Sequence, residues 1–304
     1  MRKILVIRGG ALGDFILTLP VLAALRGHFP GLPIEILGQP RIASIAVAGG
    51  LAERASALES AALAGLFARD GSRLPAAVEY FSEFDLIVSY VYDPERIFQS
   101  NVSLCSAARF IAGPHRPDEA LNVHATELLL RPLEALGIRD ADARARLDLP
   151  AGADRVEGDC LALHPGSGGE QKNWPEQKWK ELLEILALKT QWNFLLIGGE
   201  AEGSRCQRLA AVVPTGRAVI AQDLPLVELA RKMKSCAAFI GHDSGITHLA
   251  AALDLPGLAL WGPTAETTWR PQSDRIKILR HPGGLVDLPV ETVFNALRAT
   301  VSRG

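Results

Sequence analysis

Short apolar runs alternate along this chain with longer stretches of helical periodicity, and glycine-rich turns separate them. Residues 4–7 are continuously apolar (Ile-Leu-Val-Ile), the pattern of a strand covered on both faces. A helical pattern follows over about 15–26, and Pro20 inside it predicts a kink or a late start. Residues 34–37 and 86–91 read as strands and the Ala/Leu-rich stretch 55–69 as helical. Residues 125–136 read as a helix that stops at Gly137, a C′ glycine. Around 150–159 the chain turns polar, with Pro150, Gly152 and Gly158, which marks a linker. The pattern then restarts. Strands are expected at 160–163, 194–197, 218–220, 237–240 and 258–261, and helices at 175–188, 226–236, 246–253 and 290–301. Each half thus repeats strand, Gly-rich loop, helix, strand. That order predicts an α/β protein of two tandem, doubly wound, Rossmann-like domains, 1–153 and 154–304, with binding crevices at the strand ends facing a central cleft. The last helix is a candidate to pack back on the N-terminal domain.

Composition supports two cores and narrows the function. The 304 residues are 48% hydrophobic and 22% charged, enough apolar content for two domains of ordinary size. Net charge is −2, and the halves are both near neutral, with 15 basic against 17 acidic residues in 1–153 and 17 against 17 in 154–304. No basic excess marks a nucleic-acid binder. Cys105, Cys160, Cys206 and Cys236 are scattered without a C-x-x-C pair, which argues against zinc or a disulfide framework and fits a reducing compartment. The N-terminal apolar run stops at Arg8 after four residues, so it reads as a first strand rather than a signal peptide. No stretch reaches the roughly 18 apolar residues of a membrane span. A cytoplasmic protein is expected, with peripheral contact at an inner membrane left open. Leu63, Leu66 and Phe67 lie at helical spacing and suit either such contact or the core.

Three loops carry candidate chemistry. Arg8-Gly9-Gly10-Ala11-Leu12-Gly13-Asp14 follows the first strand, but it is not the G-x-G-x-x-G dinucleotide pattern, and no acidic residue ends the second strand. A nicotinamide enzyme is therefore disfavoured. Asp14 suits a helix N-cap or, at the strand-end edge, a ligand-facing role. Residues 164–175 (HPGSGGEQKNWP) form a Gly-rich loop with Lys172 near its far end, which suits an anionic phosphate; a solvated surface lysine is the alternative. Residues 239–248 (FIGHDSGITH) are a strand, a tight turn and a helix start. Asp243 or Ser244 is the expected N-cap, and the helix dipole favours a diphosphate. His248 falls on the first helical turns. The His242/His248 spacing is not that of a zinc site. After residues 194–197, Glu200 suits a ribose or solvent, and Trp261-Gly262-Pro263-Thr264 either borders the ligand or is only a turn.

Together these residues resemble glycosyltransferase family 9, the lipopolysaccharide heptosyltransferases. The resemblance rests on Gly13-Asp14-x-Ile16-x-x-x-Pro20, on Pro165-Gly166-Ser167 with Lys172-x-Trp174-Pro175, and on Gly241-x-Asp243-Ser244-Gly245-x-x-His248-Leu249-Ala250-Ala251 with Gly262-Pro263-Thr264. It implies a GT-B fold and an inverting transfer without metal or cofactor. The implied donor is a nucleotide sugar, ADP-heptose, and the acceptor a glycolipid or oligosaccharide of the lipopolysaccharide core. Asp14 matches the general base and Lys172 the contact to donor phosphate. Ser167, Asp243, Ser244, Gly245 and His248 match the nucleotide-sugar site, with Glu200 near the ribose. Gly13 falls with the acceptor, and Arg109, His115 and Arg116 are candidate readers of its anionic groups. Gln171-Lys172-Asn173-Trp174-Pro175 departs from the family's Ala-Lys-Arg-Trp-Pro stretch, so one cation is missing. A different nucleotide-sugar donor, a sugar-nucleotide epimerase and a non-catalytic nucleotide-sugar binder are the alternatives.

Overall fold

The computed structural model describes residues 1–60, 63–69, 75–150, 159–199 and 203–301. The chain divides into two compact units, Met1–Ala145 and Arg146–Gly304. The division falls earlier than the polar stretch that marks the linker in the sequence. Leu147 explains this, because its amide already donates to the Ala252 carbonyl of the second unit (2.8 Å).

The first unit runs β1 (Ile4–Arg8), α1 (Leu12–Ile16), α2 (Leu19–His28), β2 (Ile34–Gly38), α3 (Pro40–Ala48), β3 (Arg54–Ala57), α4 (Pro75–Phe81), β4 (Leu86–Ser89), α5 (Ile97–Cys105), β5 (Arg109–Ala112) and α6 (Ala125–Leu130). Its sheet is parallel throughout, in the order β3-β2-β1-β4-β5. Strand order reverses between β1 and β4, and ligands of open α/β sheets bind at such a point, beyond the C-terminal strand ends. Pro20 sits at the start of α2, so the expected first helix is two short helices. The stretch 55–69 is not one helix: it holds the end of edge strand β3 and a 3₁₀ turn, Ala64–Phe67. Leu63 and Leu66 are buried and Phe67 is exposed. The expected helix 125–136 changes at Arg131 into 3₁₀ geometry, where Pro132 cannot donate to the α-ladder. Gly137 follows in the left-handed conformation (φ +81°).

Buried Glu35 in β2 pairs with Lys3 (2.7 Å) and accepts from Ser56 and Tyr80 hydroxyls (2.6 and 2.7 Å). Burial alone would raise its carboxyl, but those partners hold it below its ordinary value. Gly38 ends the same strand opposite Arg8, and a Cβ there would lie 2.2 Å from the Arg8 carbonyl oxygen. Gly38→Ala must therefore push β2 away from β1, and a destabilisation of about 1–3 kcal/mol is expected, as for overpacked cores. A thermal melt checks this; an unchanged midpoint would show that the strands part without cost.

The second unit runs β6 (Cys160–His164), α7 (Glu176–Lys189), β7 (Asn193–Gly198), α8 (Arg205–Ala210), β8 (Ala218–Gln222), α9 (Leu226–Lys234), β9 (Ala238–His242), α10 (Gly245–Ala252), β10 (Gly257–Leu260), α11 (Glu266–Trp269), β11 (Ile276–Leu279) and α12 (Val290–Val301). Its sheet is again all parallel, β11-β10-β9-β6-β7-β8, and reverses between β6 and β9. Trp174, Trp179, Leu182, Leu186, Phe194 and Leu258 lie in one buried core. Helix α12, the candidate to cover the first domain, packs on α7 and β10 of its own unit. The four cysteines are free thiols, and the Cys160 and Cys236 sulfurs, scattered in sequence, lie 3.0 Å apart. Among the described residues no helix is long and apolar enough to cross a membrane.

Candidate functional site

The switch point of the first sheet holds Asp14. It is not the N-cap that the sequence suggested; Ala11 takes that position and Asp14 is third in α1. One carboxylate oxygen accepts from the Ala11 amide (3.2 Å), and the other faces the Arg8 guanidinium (3.5 Å). The side chain remains 37% exposed, so the carboxylate is anchored but open to a substrate. Gly10 makes this possible: its φ is +96°, and a Cβ there would sit 2.9 Å from the carboxylate. Arg8 is buried and donates to the carbonyls of His115 (2.8 Å) and Asp14 (3.3 Å). The sequence places Arg8 at the head of the first candidate loop but gives its side chain no role. A cation closing a buried strand was the available signal, since such a charge needs partners.

Beside this point, the C-terminal ends of β4 and β5 enclose a cavity of about 500 Å³ that includes Tyr92, Arg96, His115 and Arg116 in its lining. Gly13 lies in the first turn of α1 next to Asp14. Arg109 does not join His115 and Arg116. It begins β5, level with Leu86 at the N-terminal edge of the sheet, and its guanidinium donates to the Ala135 carbonyl. The parallel strand direction puts it at the end of the sheet away from the loops.

In the second unit the structure gathers the Gly-rich loop and the 241–248 turn around the end of β6 and β9. Lys172 Nζ pairs with Asp243 Oδ2 at 2.6 Å; the lysine is 38% exposed and the aspartate 8%. Ser244, not Asp243, caps α10, its Oγ accepting weakly from the Thr247 amide (3.4 Å). Gly245 opens the helix, and His248 is buried one turn along, its amide donating to the Ser244 carbonyl (3.3 Å). Ser167 is buried and donates to the Gly169 carbonyl (3.2 Å). Gly262, after β10, borders the loop: a Cβ there would come 3.4 Å from the Gln171 carbonyl oxygen. Glu200 lies outside the described residues. Among the described residues no group of three or more His, Cys, Asp or Glu could hold a metal ion.

Two buried histidines stand beneath this site. His242 Nε2 accepts from the Trp174 amide (2.8 Å), and its Nδ1 faces the Gly166 carbonyl (3.3 Å). His164 Nδ1 faces Ser244 Oγ (3.2 Å). Burial, with the nearby Arg205 charge, pushes His164 down to about 4. Burial, with His164 and Arg205, pushes His242 down to about 3. Both are therefore neutral in the fold, and their contribution to stability is full above the unfolded value near 6.5. It declines as pH falls through 6.5 toward 4 and 3. Each proton adds a slope of about 1.4 kcal/mol per pH unit in that window. Urea unfolding between pH 7 and 4 should show this slope, shallower in His242→Gln; parallel curves would contradict it.

Two parallel Rossmann-like sheets, each with a loop-built site at its switch point, define the architecture of GT-B glycosyltransferases. Solved structures share it along the whole chain. Escherichia coli ADP-heptose lps heptosyltransferase II aligns with a TM-score of 0.80 at 18% identity, over 99% of each chain. E. coli heptosyltransferase WaaC with ADP aligns with a TM-score of 0.76 at 20% identity, covering 98% of this chain and 99% of that one. The family model for glycosyltransferase family 9 (heptosyltransferase) matches residues 120–286. The chain belongs to glycosyltransferase family 9. Among curated relatives, lipopolysaccharide heptosyltransferase 1 of Pseudomonas aeruginosa is 33% identical over 153 residues, 50% of this chain and 41% of the relative. Lipopolysaccharide heptosyltransferase 1 of E. coli K12 is 35% identical over 103 residues, 31% of this chain and 29% of the relative. The chain thus spans less than half the length of these relatives in the matched region.

Proposed function

We propose that the chain is an inverting, metal-independent glycosyltransferase that moves heptose from ADP-heptose to an acceptor hydroxyl of the lipopolysaccharide core. The observation that carries this reading is the Lys172–Asp243 pair at the switch point of the second sheet, in a chain of this family. It puts a half-exposed cation beside the N-terminus of α10, where the helix dipole also favours an anion. The relatives' names supply the heptose and the lipopolysaccharide.

In this reading the first unit takes the acceptor, and the second takes the nucleotide sugar. Asp14 accepts the proton of the acceptor hydroxyl as its oxygen attacks the anomeric carbon. The bond from that carbon to the diphosphate breaks, and configuration inverts. ADP leaves with the bonding electrons, and Lys172 and the α10 dipole stabilise the growing charge. Ser167, Ser244, Gly245 and His248 line the donor site, and His115 and Arg116 read the acceptor's anionic groups from the cavity wall. The protein works in the cytoplasm, with the glycolipid acceptor offered at the inner-membrane surface.

A thermal-shift titration with ADP, UDP, GDP and CDP, in EDTA and then with Mg²⁺, tests the donor. Selective stabilisation by ADP in EDTA is expected. Selectivity for another nucleotide would remove the heptose assignment, and stabilisation only with Mg²⁺ would remove metal independence. No response to any of them would leave a protein that does not bind nucleotide sugars.

A further inference from the structure

We propose that His242 is the positioning residue for Lys172: one buried imidazole clamps both ends of the Gly-rich loop and so fixes where the ammonium meets the donor diphosphate. This rests on the donor-site reading above. The motif shared with the family leaves position 242 open, so nothing in the resemblance assigns it a role.

The geometry is specific. His242 ends β9 and is fully buried. Its Nε2 accepts from the Trp174 amide (2.8 Å), so the ring proton sits on Nδ1 and faces the Gly166 carbonyl (3.3 Å). Gly166 and Trp174 bracket the segment 167–173, which carries Ser167 and Lys172. The imidazole therefore ties the exit of the segment to its entrance through a single rigid group. The ring cannot turn freely, because Trp179 stands edge-on to it (centroids 5.4 Å apart) and in turn packs edge-on against Trp174 (5.3 Å). The next residue after His242 is Asp243, which holds Lys172 Nζ from the other side. One strand end thus sets both the backbone of the lysine loop and the resting place of its charge. Arg205 adds a separate tether to the Pro165 carbonyl (3.0 Å), outside the bracketed segment.

Removing the Nε2 acceptor leaves a buried amide without a partner, which is costly and is relieved by moving the loop. Glutamine can present a carbonyl near the Nε2 position and keep the Trp174 bond. Leucine fills the space and keeps neither bond. Asparagine is shorter and can reach only the Gly166 side.

The test is a double-mutant cycle on the full chain, read by ADP calorimetry and by donor KM and kcat. Lys172→Ala should weaken ADP binding. His242→Leu should weaken it about tenfold, the scale of one lost buried hydrogen bond, while His242→Gln stays within about threefold of the parent by the same scale. In the Lys172→Ala background the leucine change should cost less than about twofold, because the residue it positions is gone. Equal cost in both backgrounds would overturn the proposal, since His242 would then support the fold and not the lysine. So would full ADP affinity in a folded His242→Leu protein. Unchanged affinity in Lys172→Ala would instead overturn the donor-site reading and take the proposal with it. If the leucine variant does not fold, His242→Asn replaces it: binding as weak as expected for leucine supports the clamp, and parent-like binding overturns it.

Discussion

Asp14→Asn is expected to lower transfer by about 10²–10⁴-fold, the usual contribution of a positioned general base, while ADP affinity stays close to that of the parent. Asparagine keeps the shape of the side chain and an oxygen for the Ala11 amide, but it cannot take a proton from the acceptor. The separation of effects follows from the structure, because Asp14 belongs to the first sheet and the Lys172 loop to the second. The substitution also takes the carboxylate away from buried Arg8, which keeps its bonds to the His115 and Asp14 carbonyls. Circular dichroism and a melt must therefore accompany the assay. Near-parental turnover in a folded Asp14→Asn protein would end its role as the base. Lost turnover together with lost ADP binding would point to a collapsed fold rather than missing chemistry.

Lys172→Ala is expected to weaken nucleotide-sugar binding and to lower kcat by about 10²–10³-fold, the range for losing one electrostatic contact to a developing negative charge. The effect has two sources. The cation is lost, and Asp243, only 8% exposed, is left facing the diphosphate without its partner. The second source makes a signed prediction. Adding Asp243→Asn to Lys172→Ala removes the repulsion and should restore part of the ADP affinity but none of the lost kcat. Isothermal calorimetry of the three proteins checks this; further loss of affinity in the double variant would show that Asp243 itself holds the nucleotide.

The central strands were legible because they are covered on both faces and so read as unbroken apolar runs. Ile4–Arg8, Cys160–His164, Asn193–Gly198 and Ala238–His242 are of this kind. Of the four edge strands only Ala218–Gln222 was expected, at 218–220. The other three, Arg54–Ala57, Arg109–Ala112 and Ile276–Leu279, are partly exposed and carry an apolar run of at most three residues. That single gap misplaced Arg109, since the useful end of a strand cannot be known before the strand is. The stretch 55–69 misled for another reason: alanine and leucine favour helix locally, but packing made it an edge strand and a 3₁₀ turn. In the candidate site, the positions of Asp14, Lys172, Asp243 and Ser244 near strand ends were legible because glycine turns follow the apolar runs. Arg8 and His242 stood in those loops without a role, since each bonds a buried backbone partner far away in sequence, His115 for one and Trp174 for the other.

Both switch points have a further consequence, for the order in which the protein is made. In each sheet the pairing that forms the crevice has the largest sequence separation of any strand pair in that sheet, Ile4 with Leu86 and Leu161 with Ala238. Parallel strands cannot be brought together by a hairpin, and closing the longer loop costs more entropy, so these pairings gain nothing until most of the intervening chain exists. On the ribosome, neither site can precede its sheet: the Asp14 carboxylate waits for β4, and Lys172 waits for β9 to deliver Asp243. A nascent chain released before β9 would own most of the second unit's apolar residues but not the Lys172–Asp243 pair, which makes it a substrate for chaperones and proteases rather than a half-active enzyme.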